Sequence, residues 1–292
     1  MPLTRRSLLK GIAGAGAGLG AACGEARAEP REAPADAVGM LYDTTRCIGC
    51  KACVVACRKA NGLEADRSGD PEGLHDAPLR LSATTKNIIK LHDDGETRSF
   101  MKSQCMHCVD PSCVGACMLG ALQKREFGIV WWDESKCVGC RYCQMACPYN
   151  VPQFEWQSRN PRIVKCEMCR HLIAEGGTPA CCDVCPKEAV VYGRRSELLA
   201  EAHRRLAAHP ERYVNKVYGE HDGGGTQVLY LSHVPFEKLG LPALGDHAQA
   251  ETVRAIQHGV LRWALPPVLL LTLAGAAVGR RRARREEEGG ES

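Results

Sequence analysis

Residues 137–148 read CVGCRYCQMACP, which sets Cys137, Cys140, Cys143 and Cys147 at gaps of two, two and three residues, with Pro148 directly behind. Gaps of two bend a chain tightly around a compact centre, and Gly139 supplies backbone freedom where the turn is sharpest. The gap of three opens a short helix that carries Cys147 away from the other thiolates, and Pro148 then ends ordinary backbone pairing. In chains so spaced, the first three thiolates grip one iron–sulfur cluster while the fourth reaches another.

Three further groups surround this one. Cys47, Cys50, Cys53 and Cys57 repeat the gaps two, two, three. Cys105, Cys108, Cys113 and Cys117 widen the middle gap to four; Cys166, Cys169, Cys181 and Cys185 widen it to eleven, with Pro186 following. Every group keeps its first gap of two and its last of three, so extra residues enter only where a loop can bulge. This is an internal repeat, and four repeats predict four 4Fe-4S clusters. Of the 18 cysteines two are left over. One is Cys23; the other is Cys181 or Cys182, and the final gap of three selects Cys181 as ligand and makes Cys182 a bystander. Disulfide frameworks show irregular, loop-sized gaps, so tight groups of four point to metal.

The flanks of the repeats predict the fold. Gly39–Tyr42, Gly128–Trp132 and Ala189–Tyr192 read as strands beside cysteine loops. Strand, cysteine loop, short helix, strand is the ferredoxin unit, so the expected class is α+β: two interleaved bacterial-ferredoxin-like modules, each with two clusters, plus one C-terminal transmembrane helix. The expected order is a signal at 1–28, a linker at 29–38 and a four-cluster domain at 39–195 with an insertion at 61–102. An extension at 196–258, a membrane helix at 260–279 and a tail at 280–292 follow. The insertion is turn-rich, with one strand expected near Lys86–Leu91. Ser196 is a candidate N-cap for a helix over about 197–208 whose Leu199, Ala202 and Leu206 form an apolar stripe. Gly223-Gly224-Gly225-Thr226-Gln227 lacks the Lys-Ser/Thr of a phosphate loop and reads as a turn before the strand Val228–Leu231.

Charge and the two ends speak to location. The formal charge is +4, but Arg5, Arg6, Lys10 and Arg27 against Glu25 account for most of it. The nearly neutral remainder argues against nucleic acid as a partner. Thr4-Arg5-Arg6-Ser7-Leu8-Leu9-Lys10 reads as a twin-arginine export signal, with Ala26-Arg27-Ala28 as its cleavage site. Near the other end Trp263–Gly279 carries no charge, and with Val260–Arg262 it reaches the length needed for a hydrocarbon core of about 30 Å. Arg280, Arg281, Arg282, Arg284 and Arg285 would hold the tail in the cytoplasm. The body is therefore expected on the periplasmic side of the inner membrane, anchored by one helix.

The four-group array is similar to the four-cluster electron-transfer subunits of bacterial respiratory oxidoreductases. More narrowly, Gly39-Met40-Leu41-Tyr42-Asp43, Gln104-Cys105-Met106-His107-Cys108-Val109-Asp110-Pro111, Gly139-Cys140-Arg141-Tyr142-Cys143 and Ala146-Cys147-Pro148-Tyr149-Asn150-Val151-Pro152 resemble the ferredoxin-like subunit of periplasm-facing hydrogenase-2. Tyr218-Gly219-Glu220 and Gly223–Leu229 (GGGTQVL) extend the likeness over nearly the whole chain. Met118 departs from the pattern, where Pro commonly follows the cysteine.

The resemblance implies that groups one and four trade their last cysteine, as do groups two and three. Cluster one would then take Cys47, Cys50, Cys53 and Cys185, and cluster two Cys166, Cys169, Cys181 and Cys57. Cluster three would take Cys137, Cys140, Cys143 and Cys117, and cluster four Cys105, Cys108, Cys113 and Cys147. It also implies partners: a nickel–iron hydrogenase with its small and large subunits, and a multi-span quinone-reactive membrane subunit. A molybdopterin enzyme acting on formate, sulfur or nitrogen oxyanions is the alternative catalytic partner. The residues themselves show ligands and no catalytic set. No nucleophile with a paired base stands out, and His107 reads as a packing or hydrogen-bonding residue. The expected role is an electron relay rather than an enzyme. A structural zinc protein or a self-sufficient redox enzyme would be the competing classes; zinc would not require four-cysteine groups ending in Cys-Pro.

Overall fold

The computed structural model describes residues 31–64, 78, 80–156, 158, 161–251 and 266–280. Pro30–Val253 make one compact unit, and the helix at 266–280 belongs to another. The export signal expected over 1–28 lies outside the described residues.

The larger unit begins with β1 (Val38–Asp43) and α1 (Ala52–Ala60), followed by a hairpin of β2 (Ile88–Asp93) and β3 (Arg98–Ser103). Next come α2 (Ser112–Gly115), the hairpin β4 (Leu122–Lys124) and β5 (Val130–Trp132), and α3 (Tyr142–Met145). The short pair β6 (Gln153–Phe154) and β7 (Ile163–Val164) leads to α4 (Arg170–Ala174) and α5 (Ala180–Asp183). β8 (Val190–Arg194), α6 (Arg195–Ala208) and β9 (Val228–Leu231) complete it. The content is mixed α and β, and the helices that carry cysteines are one or two turns long.

β1 is buried along all six residues, as a strand covered on both faces must be. It lies between β8 and β9 in the order β8-β1-β9, antiparallel to the first (Tyr42 opposite Val190) and parallel to the second (Met40 opposite Val228). β9 comes so close that a Cβ on Gly39 would run into the Gln227 carbonyl oxygen. α1 packs on α5 beside β8, and α2 packs on α3 beside β4. The chain thus carries two similar arrangements of helix pair and strand pair.

The sequence reading meets the fold with some differences. The insertion holds two paired strands rather than one, turned by Asp93, Asp94 and Gly95. The Asp94 carboxylate there accepts from the Thr97 amide (2.8 Å). Of the strand expected over Gly128–Trp132, only Val130–Trp132 pairs, because Glu126–Gly128 form a 3-10 turn with Phe127 at φ 56°. α6 starts at Arg195 with Arg194 at the N-cap and no capping side chain, so Ser196 lies inside the helix. Its buried face is Leu198, Ala202 and Arg205, while Leu199 and Leu206 flank it half-buried. Arg205 faces inward because Asp43, fully buried at the end of β1, accepts from its guanidinium (3.2 Å) and from the Tyr213 hydroxyl (2.8 Å).

The helix at 266–280 is exposed along its whole length. No helix of the described residues is long and apolar enough to cross a membrane; residues 260–265 of the expected span lie outside them.

Candidate metal centre

The four cysteine groups share a backbone device. The residue before the second cysteine has a left-handed conformation in each: Gly49 (φ 71°), His107 (φ 48°), Gly139 (φ 68°) and Met168 (φ 55°). This kink lets a two-residue gap fold back on itself. Glycine is required at position 49, where a side chain would also strike the Phe100 ring. At positions 107 and 168 a buried side chain pins a conformation that costs about 1–3 kcal/mol. The His107 Nδ1 accepts from the Val130 amide (3.1 Å), and burial, reinforced by Lys165 and Lys124, pushes its pKa well below the usual histidine range. It is a neutral hydrogen-bonding residue, as its sequence position suggested.

The turns also aim backbone donors at sulfur. The Gly49 and Met168 amides point to the Sγ of Cys47 (3.4 Å) and Cys166 (3.3 Å). Four residues after the last cysteine of a group, the Ala121, Val151 and Ala189 amides point to the Sγ of Cys117 (3.2 Å), Cys147 (3.5 Å) and Cys185 (3.3 Å). In the first group the same place belongs to a side chain. The Asn61 Nδ2 approaches the Sγ of Cys57 (3.7 Å) and of Cys169 (3.8 Å), while its Oδ1 accepts from Lys86 (2.9 Å). Donors to thiolate sulfur are a principal means of setting the potential of an iron–sulfur centre.

The cysteines gather into four sets, each drawn from two groups. A narrow apolar cavity lies between Cys47, Cys50, Cys53 and Cys185, walled by Tyr42 and Ile89. Burial pushes the Cys57 thiol up to about 11, with Cys181 and Cys169 adding to the effect against Lys102. Cys166 is raised by burial and then by Cys57 and Cys181. For Cys113 burial acts first, followed by Cys105, Cys108 and Cys147. For Cys143, pushed up to about 12, burial is followed by Cys117, Cys137 and Cys140. Across sets, Cys53 feels Cys181 and Cys166 feels Cys105, while Cys113 and Cys117 pack into the same apolar cluster as Cys143. The four sets therefore follow one another in a row. Its first and last members reach the surface at Cys50 and Cys140.

Thiols so deeply buried do not ionise unless positive charge shares the site, and metal ligation supplies that charge. No three of His, Cys, Asp and Glu among the described residues converge on a point where a single ion would sit. A four-iron cubane spreads its thiolates more widely than one ion does. The buried Lys102 Nζ, His107 Nε2 and Trp132 Nε1 lack hydrogen-bond partners among the described residues, as donors meant for an acceptor-rich group such as a cluster's sulfides would. The residues fit the group.

Cys182 lies against Cys181, whose pKa is lowered first by the hydrogen bond from Cys182. Asn61, the buried Lys102 and Lys165 and the half-buried Lys124 were not foreseen from the sequence. A lysine in a strand or loop ordinarily reads as solvated, and only the nearby cysteines could have suggested otherwise.

These features define an iron–sulfur protein of the ferredoxin-like kind, and the 4Fe-4S dicluster domain family matches residues 97–195. The chain is 38% identical over 290 residues to the hydrogenase-2 operon protein HybA of Escherichia coli O157:H7, covering 87% of this chain and 88% of that one. It is 32% identical over 245 residues to the iron–sulfur subunit of the nitrate-inducible formate dehydrogenase of Escherichia coli K12, with 82% of each covered. The iron–sulfur subunit of formate dehydrogenase-O from the same strain is 35% identical over 205 residues, with 68% and 67% covered. The chain belongs to the family of iron–sulfur subunits that contains HybA and these formate dehydrogenase subunits.

Proposed function

We propose that the chain carries electrons through four 4Fe-4S clusters between a nickel–iron hydrogenase small subunit and a multi-span quinone-reactive membrane subunit. It is an electron-transfer subunit of an oxidoreductase complex, not the catalytic one. The clusters would be held by Cys47, Cys50, Cys53 and Cys185; by Cys57, Cys166, Cys169 and Cys181; by Cys105, Cys108, Cys113 and Cys147; and by Cys117, Cys137, Cys140 and Cys143. Each cluster, when bound, takes up and releases one electron. The chain's own part is to hold the groups in sequence, exclude water from the inner ones and present donors to their sulfurs.

The observation that carries this reading is the row of buried cysteine sets open at both ends. Around Cys50 lie the exposed Ile48 and Val55, and around Cys140 the exposed Val138, Tyr142 and Met145. Apolar surface beside a terminal redox group suits docking to a partner. The twin-arginine stretch and the apolar run at 260–279 support a periplasmic body with a single membrane anchor and a cytoplasmic tail at 280–292.

A detergent pull-down through this chain, with metal analysis and hydrogen-dependent dye reduction, tests the partner. Nickel with hydrogen uptake is expected. Molybdenum or tungsten without hydrogen uptake would replace the hydrogenase with a molybdopterin enzyme, the reading that the formate dehydrogenase subunits favour, and would leave the relay standing.

A further inference from the structure

Lys102 is a buried cation with no described residue to pair it. It is the next-to-last residue of β3, it is fully buried, and its Nζ has no hydrogen-bond partner among the described residues. A buried ammonium without partners is costly and persists only where something compensates it. Its carbonyl accepts from the Tyr230 hydroxyl (3.0 Å) and β3 is paired along its length to β2, so the backbone cannot swing the side chain out to water.

Lys102 stands directly opposite Ile89 across the hairpin, on the same face, and Ile89 walls the cavity between Cys47, Cys50, Cys53 and Cys185 and packs in one cluster with Cys53 and Cys181. Burial opposes the charge of the Lys102 ammonium, yet Cys181, Cys53, Cys57 and Cys166 outweigh burial and push its pKa up. These four cysteines come from two different sets: Cys53 from the first, and Cys57, Cys166 and Cys181 from the second. The lysine therefore sits where the first two sets meet. For Cys143, in the last set, the largest effects after burial come from its own set's Cys117, Cys137 and Cys140.

We propose that Lys102 is a fixed positive charge placed between the first two clusters to raise their reduction potentials. The inference rests on the ligand sets proposed above. Reduction of a cluster adds one electron and one negative charge, with no bond made or broken. A buried cation at close range in a medium of low dielectric favours the more negative form. Through its interaction with both neighbours Lys102 would bias these two sites together, and its effect on the other clusters falls with distance. Lys102 is thus a positioning charge and not a ligand.

The test is a redox titration, followed by electron paramagnetic resonance, of the full-length protein in its purified complex, with iron and acid-labile sulfide measured on each sample. Lys102→Met and Lys102→Gln remove the charge at similar volume, and Lys102→Arg keeps it. Both neutral variants should retain full iron and sulfide. Two of the four midpoints should fall by an amount equal to a tenfold or larger change in the reduction equilibrium, about 59 mV for one electron. The other two should stay in place, and Lys102→Arg should restore the wild-type values. Unchanged midpoints in a fully loaded neutral variant would overturn the proposal. Loss of clusters in both neutral variants but not in Lys102→Arg would also overturn it, since the charge would then serve assembly. A wild-type complex lacking iron and sulfide in this subunit would instead sink the cluster reading itself.

Discussion

At the scale of single residues, the cysteines were legible from spacing alone, because a ligand pattern is a local property of the chain. Asn61 was not: its relation to Cys169 spans 108 positions and exists only once α1 and α4 are in place. Three outcomes follow for the second set. Cys166→Ser should cost one cluster, lowering iron by about four atoms per chain and leaving the remaining clusters visible in the spectrum; metal analysis checks it. Asn61→Leu should keep all the iron but lower one midpoint, because a donor to two sulfurs is lost. Lys86→Met, which frees the Asn61 amide to rotate, should give a smaller shift in the same direction. Midpoints that stay put in both variants would show that the Asn61 amide does not reach the ligated sulfurs.

At the scale of elements, the strands beside the cysteine loops could be read from their apolar runs, and so could most of α6. The orientation of α6 could not, since its inward residue is an arginine. Asp43→Asn should leave Arg205 with Glu201 as its remaining counter-charge and cost about 1–3 kcal/mol, the usual penalty for a buried group that loses a charged hydrogen-bond partner. Urea unfolding followed by circular dichroism measures it, and a loss well below ~1 kcal/mol would show that Glu201 alone suffices for Arg205. On the outer side of the same helix, hydrogen bonds from Arg204 and Arg205 hold Glu201 down at about 2. Its pKa is lower folded than unfolded, so its contribution is complete above about 4.5 and disappears as pH falls from there toward 2. Glu201→Gln should therefore flatten the acid limb of the stability profile across that window. The change should stay under about 1 kcal/mol because the carboxylate is solvated.

At the scale of the whole molecule, the four-fold repeat announced a relay, but the position of β9 did not follow from it. Residues beyond 195 looked like an appendage, yet β9 completes the sheet on β1. The Gln227 side chain donates to the carbonyls of Val38 and Phe127 and accepts from Lys124 (2.9 Å), so the GGGTQ stretch is a clamp and not a ligand loop. Truncation after Val253 should leave the iron content intact and move the protein from the membrane to the soluble fraction, as ultracentrifugation would show. A truncated chain that still sediments with membranes would mean that partners, not residues 260–279, hold it there. Truncation before Val228 should instead abolish folding. The parallel pairing of β1 with β9 has a temporal side as well. Asp43 leaves the ribosome about 190 residues before Leu231, roughly 10–40 s at ordinary rates of synthesis. Through most of that interval both edges of the central strand are uncovered, and after β8 has been made the β9 edge still waits. The body can close only after almost all of it has been made, and chaperone capture of the nascent chain should be heaviest between the emergence of β1 and that of β9.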